Sequence, residues 1–157
     1  MPYDSALICK NGHLINDCFH QYPEENSAFC DKCGAQAINA CPHCNHEIKG
    51  RSSGEFSYMD DYDIPAYCIF CGKPFPWTEA AIVSATLIIQ EENTLDKSQQ
   101  NALIEVLPDI MTETPKTNLA VVRVKKCLSS AGKFTVEALR QFAIDFGCEL
   151  AKKSLGL

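Results

Sequence analysis

The spacing of apolar residues along the chain changes near Thr78. Before this point, short apolar stretches are interrupted by Cys, Gly, Pro, Asn and Asp, and they show no helical period. After it, stretches rich in Ala, Leu and Ile have apolar residues at three- and four-residue intervals, as amphipathic helices do. The pattern predicts an α+β protein with a cysteine-rich domain at 1–77 and a helical domain at 78–157.

About four α-helices are predicted in the second domain from their start and stop signals. The first covers 78 to about 92, and the second covers 96 to about 107, ending before a proline or continuing briefly past it. The third opens with Thr114 as its cap and Pro115 at its first helical position, and it stops at Gly132, a residue suited to the position after a helix end. The fourth begins at 135 and runs nearly to the last residue. We expect their apolar faces to form a small bundle core rather than a partner-binding groove.

The cysteines are numerous and clustered. The chain has 157 residues and 10 cysteines, and eight of these lie between Cys9 and Cys71. The N-terminal residues lack the charged segment and apolar run of a secretory signal. The longest apolar run, AAIVSATLII, is shorter than the roughly 20 residues of a membrane span. We therefore expect a cytoplasmic location, where clustered cysteines are more often metal ligands than disulfides.

Four short motifs in the first domain resemble one another: CKNGH, FCDKCGA, ACPHCNH and YCIFCGK. Each offers two metal donors from one tight turn, and a glycine near most of the pairs relieves backbone strain in that turn. The donor pairs are Cys9 with His13, Cys30 with Cys33, Cys41 with Cys44, and Cys68 with Cys71. Since two pairs complete a tetrahedral site, the motifs predict a double zinc ribbon built from short antiparallel β-hairpins.

The spacing of the pairs favours joining neighbours in order. The segment GAQAINA between the second and third pairs is short for a ribbon hairpin but suits a link between two ribbons. Site one would then contain Cys9, His13, Cys30 and Cys33, and site two would contain Cys41, Cys44, Cys68 and Cys71. Cross-bracing, with the first pair joined to the third and the second to the fourth, is the alternative.

Four good donors at each site predict closed, structural sites with two Zn²⁺ ions per chain. Metal binding would supply the folding energy of a segment that has few large aliphatic residues. Cys18 and His20 are an alternative to His13, which is favoured because it keeps a compact turn around Gly12. Rubredoxin-like iron at the four-cysteine site is the alternative to zinc there.

The segments ICKNGHLIN, FCDKCGAQAI, CPHCNHEIKG and PAYCIFCGKPFPWTEAA, followed by LPDIMTETPKTNLAVVRVKK, carry a family resemblance. Together they resemble an uncharacterised bacterial zinc-ribbon family, the domain of unknown function 2321. The resemblance covers nearly the whole chain, including its helical half. It implies a bacterial, zinc-binding, non-secreted protein, and it implies no particular activity.

The net charge and the sequence motifs limit the classes of function that this protein can have. The net charge is −6, of which −5 belongs to the residues up to Thr78. Such an acidic segment argues against a general nucleic-acid surface, which needs clustered Lys and Arg. No catalytic set is recognised, and SSAGK lacks the leading glycine and the spacing of a P-loop. We expect a non-enzymatic adaptor or regulator that acts through protein–protein interaction.

Two other functions remain open. A nucleic-acid-binding zinc-ribbon regulator would use a basic helix face, formed by Lys116, Arg123, Lys126 and Lys133. A simple solvated face is the preferred interpretation of these cations. A redox or metal-dependent enzyme would require iron or an open zinc site.

Two further structural features are predicted. We expect Trp77 to be buried against the first helix, and segment 50–66 to be an exposed loop.

Overall fold

In the computed structural model, the structure describes residues 3–52 and 61–157. The chain divides into two compact units, Met1–Ala80 and Ala81–Leu157. The first contains small antiparallel sheets with two Cys/His clusters, and the second is a helical bundle. This arrangement confirms the predicted α+β class. The predicted division at 77/78 stays a prediction about folding domains, and helix α1 runs through that position.

The first unit contains two small antiparallel sheets. Strand β2 (Leu7–Cys9) lies between β3 (Leu14–Asn16) and β4 (Ala37–Ile38), while β1 (Tyr3–Ser5) pairs with β5 (Lys49–Ser52). A short 3-10 helix spans Pro23–Glu25.

Strand β5 extends into the segment 50–66 that was predicted to be a loop, and it covers the first three residues of that segment. A Cβ built on Gly50 would lie 2.4 Å from the carbonyl oxygen of Asp17, so only glycine permits this close approach of backbone. The loop prediction is therefore wrong at 50–52, and the part at 53–60 lies outside the described residues.

Aromatic and thiol side chains share the core of the first unit. Ile8, Ile48, Phe75 and Trp77 are buried together with Cys41 and Cys68. The rings of Phe75 and Trp77 stack with their centroids 4.8 Å apart, and the indole N–H of Trp77 donates to the carbonyl of Pro65 at 2.9 Å. Trp77 is thus buried, as expected, but it lies in the first turn of helix α1 rather than packing on that helix from outside.

Four main helices and a short fifth follow. They are α1 (Pro76–Gln90), α2 (Lys97–Met111), α3 (Thr117–Leu128), α4 (Lys133–Phe146) and α5 (Glu149–Ser154). Among the described residues, none of the helices has both the length and the apolar character of a membrane span.

Helix α2 begins as its sequence predicts, and it continues briefly past Pro108, which is one of the two ends that the sequence left open. Asp96 accepts a hydrogen bond from the backbone N–H of Gln99 at 2.8 Å, and the Gln99 side chain accepts one from the N–H of Asp96 at 3.0 Å. This is a capping box. The helix continues past Pro108 because the following turn buries Ile110 and Met111, which offsets the hydrogen bond lost at the proline.

The boundaries between α3 and α4 differ from the prediction. Thr114 forms a turn ahead of α3, in which its hydroxyl accepts a hydrogen bond from the N–H of Lys116 at 3.1 Å. Gly132 does not end α3; it has extended backbone and is the residue before α4. Its N–H donates to the carboxylate of Glu92 at 3.0 Å, so a side chain distant in sequence caps this helix start.

The core of the helical unit is aliphatic. Helix α2 buries Leu103, Val106 and Leu107 against apolar residues from α1, α3 and α4. The apolar stripes therefore form the predicted bundle core.

Candidate metal centres

Three turns of the first unit repeat one hydrogen-bonding pattern. In each Cys-x-x-Cys turn, the fourth residue after the first cysteine has positive φ and donates its N–H to the carbonyl of that cysteine at 2.8 Å. The positive-φ residues are Gly34, Asn45 and Gly72, with φ of 73°, 65° and 72°. Asparagine tolerates this left-handed region better than other side chains, which explains why the ACPHCNH turn needs no glycine.

The first turn is shorter by one residue, and this explains why its second donor stands one position later in the sequence. In CKNGH, Gly12 has φ of 91° and donates to the carbonyl of Cys9, so the glycine occupies the position where the other turns place their second cysteine. The second donor must then follow the glycine, at His13. A Cβ on Gly12 would lie 2.9 Å from Cβ of Trp77, so the site requires glycine for space as well as for φ.

The first cluster brings together the side chains of Cys9, His13, Cys30 and Cys33. Sγ of Cys9 and Sγ of Cys30 each lie 3.6 Å from Nδ1 of His13, and Sγ of Cys9 lies 3.7 Å from Sγ of Cys33. All four donor atoms lie within 4.8 Å of one another, which is consistent with one tetrahedral metal site.

The second cluster consists of Cys41, Cys44, Cys68 and Cys71. Sγ of Cys41 lies 3.8 Å from Sγ of Cys71, and Sγ of Cys44 lies 3.6 Å from Sγ of Cys68. These sulfurs are far beyond the roughly 2.05 Å of a disulfide, and all ten cysteines are free. The structure thus joins neighbouring pairs in order and does not cross-brace them.

Backbone and amide donors surround several of the sulfurs. In the metal-free protein, the N–H of Ala35 and the side-chain amide of Asn11 lower the pKa of the Cys33 thiol to about 6. Burial raises the pKa of Cys68, but the N–H groups of Cys71 and Phe70 outweigh it and lower the value to about 7. These two shifts favour the thiolate that a metal requires, whereas burial raises the pKa of Cys9 in the first cluster. Asn11 was not singled out in the sequence, since its amide is brought to Cys33 only by the fold.

Cys18 and His20, the alternative ligands, lie outside both clusters. Burial, followed by the nearby charge of Asp17, raises the pKa of Cys18 to about 11, so its thiol stays protonated at neutral pH. His20 instead contacts a carboxylate, with Nε2 lying 2.9 Å from Oε1 of Glu47.

The tip of the last Cys-x-x-Cys turn is apolar and exposed. Ile69 is 70% exposed and Phe70 is 56% exposed. The same two positions of the other turns hold Asp31–Lys32 and Pro42–His43. The Phe70 ring stacks on His46 with a centroid distance of 4.2 Å and an interplanar angle of 10°. This side chain is therefore held outward rather than folded into a core.

The cations of the predicted basic face are all exposed. Lys116 precedes α3, Arg123 and Lys126 lie on it, and Lys133 is the first residue of α4. None of their charged side-chain groups forms an ion pair or a hydrogen bond with the residues that the structure describes.

Comparison with known proteins gives one match. The model of a bacterial family described as "Uncharacterized protein conserved in bacteria (DUF2321)" matches residues 2–155. No curated protein and no solved structure matches the chain.

Proposed function

The chain belongs to the bacterial DUF2321 family, and we propose that it is a zinc-stabilised, non-enzymatic adaptor or regulator that binds another protein. The observation that carries this proposal is the exposed apolar pair Ile69–Phe70, which lies at the tip of a turn anchored by a four-cysteine cluster. The cysteines would fix the turn, and the tip would contact the partner.

The donor distances support zinc in both clusters, and the histidine of the first cluster favours zinc over iron there, whereas four sulfurs alone hold either metal. A regular tetrahedron with Zn–S bonds of about 2.3 Å and a Zn–N bond of about 2.05 Å requires S···S and S···N separations of about 3.8 and 3.6 Å. Three S···S distances are 3.6–3.8 Å and two S···N distances are 3.6 Å, and all donor atoms of each cluster lie within 4.8 Å of one another. A bound Zn²⁺ would supply a rigid tetrahedral anchor, and with four protein donors it would keep no open position for a substrate.

Metal content tests this part of the proposal directly. Elemental mass spectrometry of protein purified without chelator or affinity metal should find two zinc ions per chain. The variant Cys71→Ser should lower the content to one, whereas Cys18→Ser should leave it at two. Iron in place of zinc, or an equal loss from both variants, would contradict the proposal.

The partner-binding surface follows from exposure and charge. Large apolar side chains that stay exposed on a rigid turn are typical anchors of protein interfaces. The residues up to Thr78 carry a net charge of −5 before any metal is bound. Because complementary charge guides protein association, we expect the partner to present an apolar pocket bordered by Lys or Arg.

Photo-crosslinking in bacterial cells tests the adaptor function. A crosslinking amino acid at position 70 should capture a specific protein when the chain is expressed at its native level. The matched control is position 134, because Phe134 is a more exposed phenylalanine on a helix. The additional change Ile69→Asp should abolish capture at position 70. No protein captured at 70, or the same proteins captured at 134, would contradict the proposal.

A nucleic-acid-binding regulator is the second candidate function. The observation in its favour is a set of exposed cations whose side chains pair with none of the described residues: Lys116, Arg123, Lys126 and Lys133. Contacts to phosphate would make binding strongly dependent on salt, and Arg123→Glu should weaken it. Absence of binding, or binding that does not change with salt, would remove this candidate.

A further inference from the structure

The helical unit contains an apolar pocket that is separate from the metal clusters. Its volume is about 310 Å³, and it lies among α2, α3, α4 and the turn that follows α5. Its lining includes the half-buried side chains of Leu128, Val136 and Leu155. The volume lies at the lower end of the range of small-molecule sites, which are also mainly apolar.

A fixed turn closes one side of this pocket. Gly156 has φ of 75°, and its N–H donates to the carbonyl of Lys153 at 3.1 Å, while the N–H of Leu157 donates to the carbonyl of Lys152 at 2.9 Å. This pair of bonds is a Schellman motif, which ends α5 and reverses the chain direction. Leu157 consequently joins Leu155 in the pocket lining.

One cation borders the apolar lining. Arg140, on α4, is the only charged residue among the described residues that line the pocket. Its side chain is exposed and has no hydrogen bond or ion pair with any described residue. An unpaired guanidinium beside an apolar pocket offers a bidentate partner to a carboxylate.

We propose that this pocket binds a small amphipathic carboxylate of the medium-chain fatty-acid type. Its alkyl chain would lie against Val136, Leu128 and Leu155, and its carboxylate would accept hydrogen bonds from Arg140. The apolar lining supplies affinity for the chain, and the single cation selects the charged head group. This inference does not depend on the metals or on a protein partner.

Titration of decanoate into the full-length, zinc-loaded protein tests the proposal. In ¹H–¹³C methyl spectra, we expect saturable shifts at the methyl groups of Val136, Leu128 and Leu155, with no shift at the exposed Leu119 on α3. Decanol, which lacks the charge, should bind about tenfold more weakly. Shifts spread equally to Leu119, or the absence of any saturable shift, would overturn the proposal.

Two pairs of variants separate the head-group contact from the pocket. Arg140→Gln should weaken decanoate binding about tenfold and leave decanol binding unchanged, whereas Arg123→Gln should change neither. Val136→Phe should fill the pocket and abolish binding of both ligands, while Val122→Phe, at an exposed position of α3, should have no effect. Equal affinity of the wild type and Arg140→Gln for decanoate would overturn the carboxylate assignment. If Val136→Phe does not fold, the methyl shifts of the wild-type protein and the comparison of Arg140→Gln with Arg123→Gln still test the proposal.

Discussion

The buried core differs in kind between the two units. Among the described residues, the core of the first unit consists of seven buried side chains, and two of these are the cysteines Cys41 and Cys68. The core of the helical unit has sixteen buried side chains, most of them aliphatic. The buried cluster of the first unit thus contains less than half as many described side chains as that of the helical unit, although the two units have a similar chain length.

This difference shows where each unit obtains its stability. Burial of a large aliphatic side chain contributes about 1.5–3 kcal/mol, so the helical unit can be stabilised by packing alone. In the first unit, the turns instead converge on two clusters, each with four donor side chains. A metal ion at each point would replace the missing core, because metal binding to a small domain is coupled to its folding.

Metal removal should have the largest effect and should show most clearly that the two units differ in what stabilises them. We expect a strong zinc chelator to unfold the first unit, because structural zinc contributes about 10–16 kcal/mol in small domains. The helical unit should retain its structure. Amide spectra should then lose the dispersed signals of Ile8 and Ile48 while the signals of Leu103 and Val124 stay unchanged. Loss of both sets together would show that the units do not differ in this way.

Truncation of the helical core should have the next largest effect. Leu103 is 0% exposed, and Leu103→Ala should lower the free energy of unfolding of the helical unit by about 2–5 kcal/mol. Leu119→Ala is the matched control, because Leu119 is 52% exposed and should cost less than about 0.5 kcal/mol. Denaturant unfolding of the zinc-loaded protein, followed at helical signals, measures both. Similar values for the two variants would contradict the assignment of the core.

Two glycines of the first cluster allow a finer test. Gly34 and Gly12 both have positive φ, so alanine at either position should cost about 1–2 kcal/mol of backbone strain. Only Gly12 also lies against Trp77, whereas a Cβ on Gly34 would meet no atom within 4 Å. Gly12→Ala should therefore weaken zinc binding more, by about a further 1 kcal/mol. Competition with a chromophoric chelator measures both affinities, and equal losses would exclude a contribution from the tryptophan contact.

The two ligand clusters could be predicted from the sequence because the spacing of donor residues is a local property. The Cys-x-x-Cys turns follow directly from the sequence, and the short link at 34–40 favoured the joining of neighbouring pairs that the structure shows. The reason for His13 was less accessible. It depends on the φ of Gly12 and on the missing residue in that turn, which become clear only when the four backbones are compared.

The errors in the helical half have a common physical origin. Capping signals such as Thr114 and Gly132 are local, but the helix ends are set by contacts between distant residues. Glu92 illustrates this, because its carboxylate accepts a hydrogen bond from the N–H of Gly132, forty residues later. Pro108 was not an error, because a continuation past it was left open, but the choice again depends on tertiary contacts, namely the burial of Ile110 and Met111.

The Glu92 contact leads to the smallest predicted effect, which depends on pH. Hydrogen bonds from the hydroxyl of Thr135 and from the N–H and hydroxyl of Thr94, with a smaller contribution from the N–H of Gly132, lower the pKa of Glu92 from 4.5 to about 2. Because the folded-state pKa is lowered, the stabilisation is complete above about pH 4.5 and is lost as the pH falls towards 2. Glu92→Gln should therefore lower the Tm of the helical unit at pH 6 and have little effect near pH 2.5.

Thermal unfolding followed at helical methyl signals provides the measurement, because acid also releases metal from the cysteine clusters. Glu105→Gln is the matched control, since Glu105 is an exposed residue of α2 and should leave the Tm unchanged at both pH values. A Tm difference between Glu92→Gln and the wild type that is as large at pH 2.5 as at pH 6 would contradict the ionic cap. Glu92 would then stabilise the start of α4 through hydrogen bonds that do not depend on its charge.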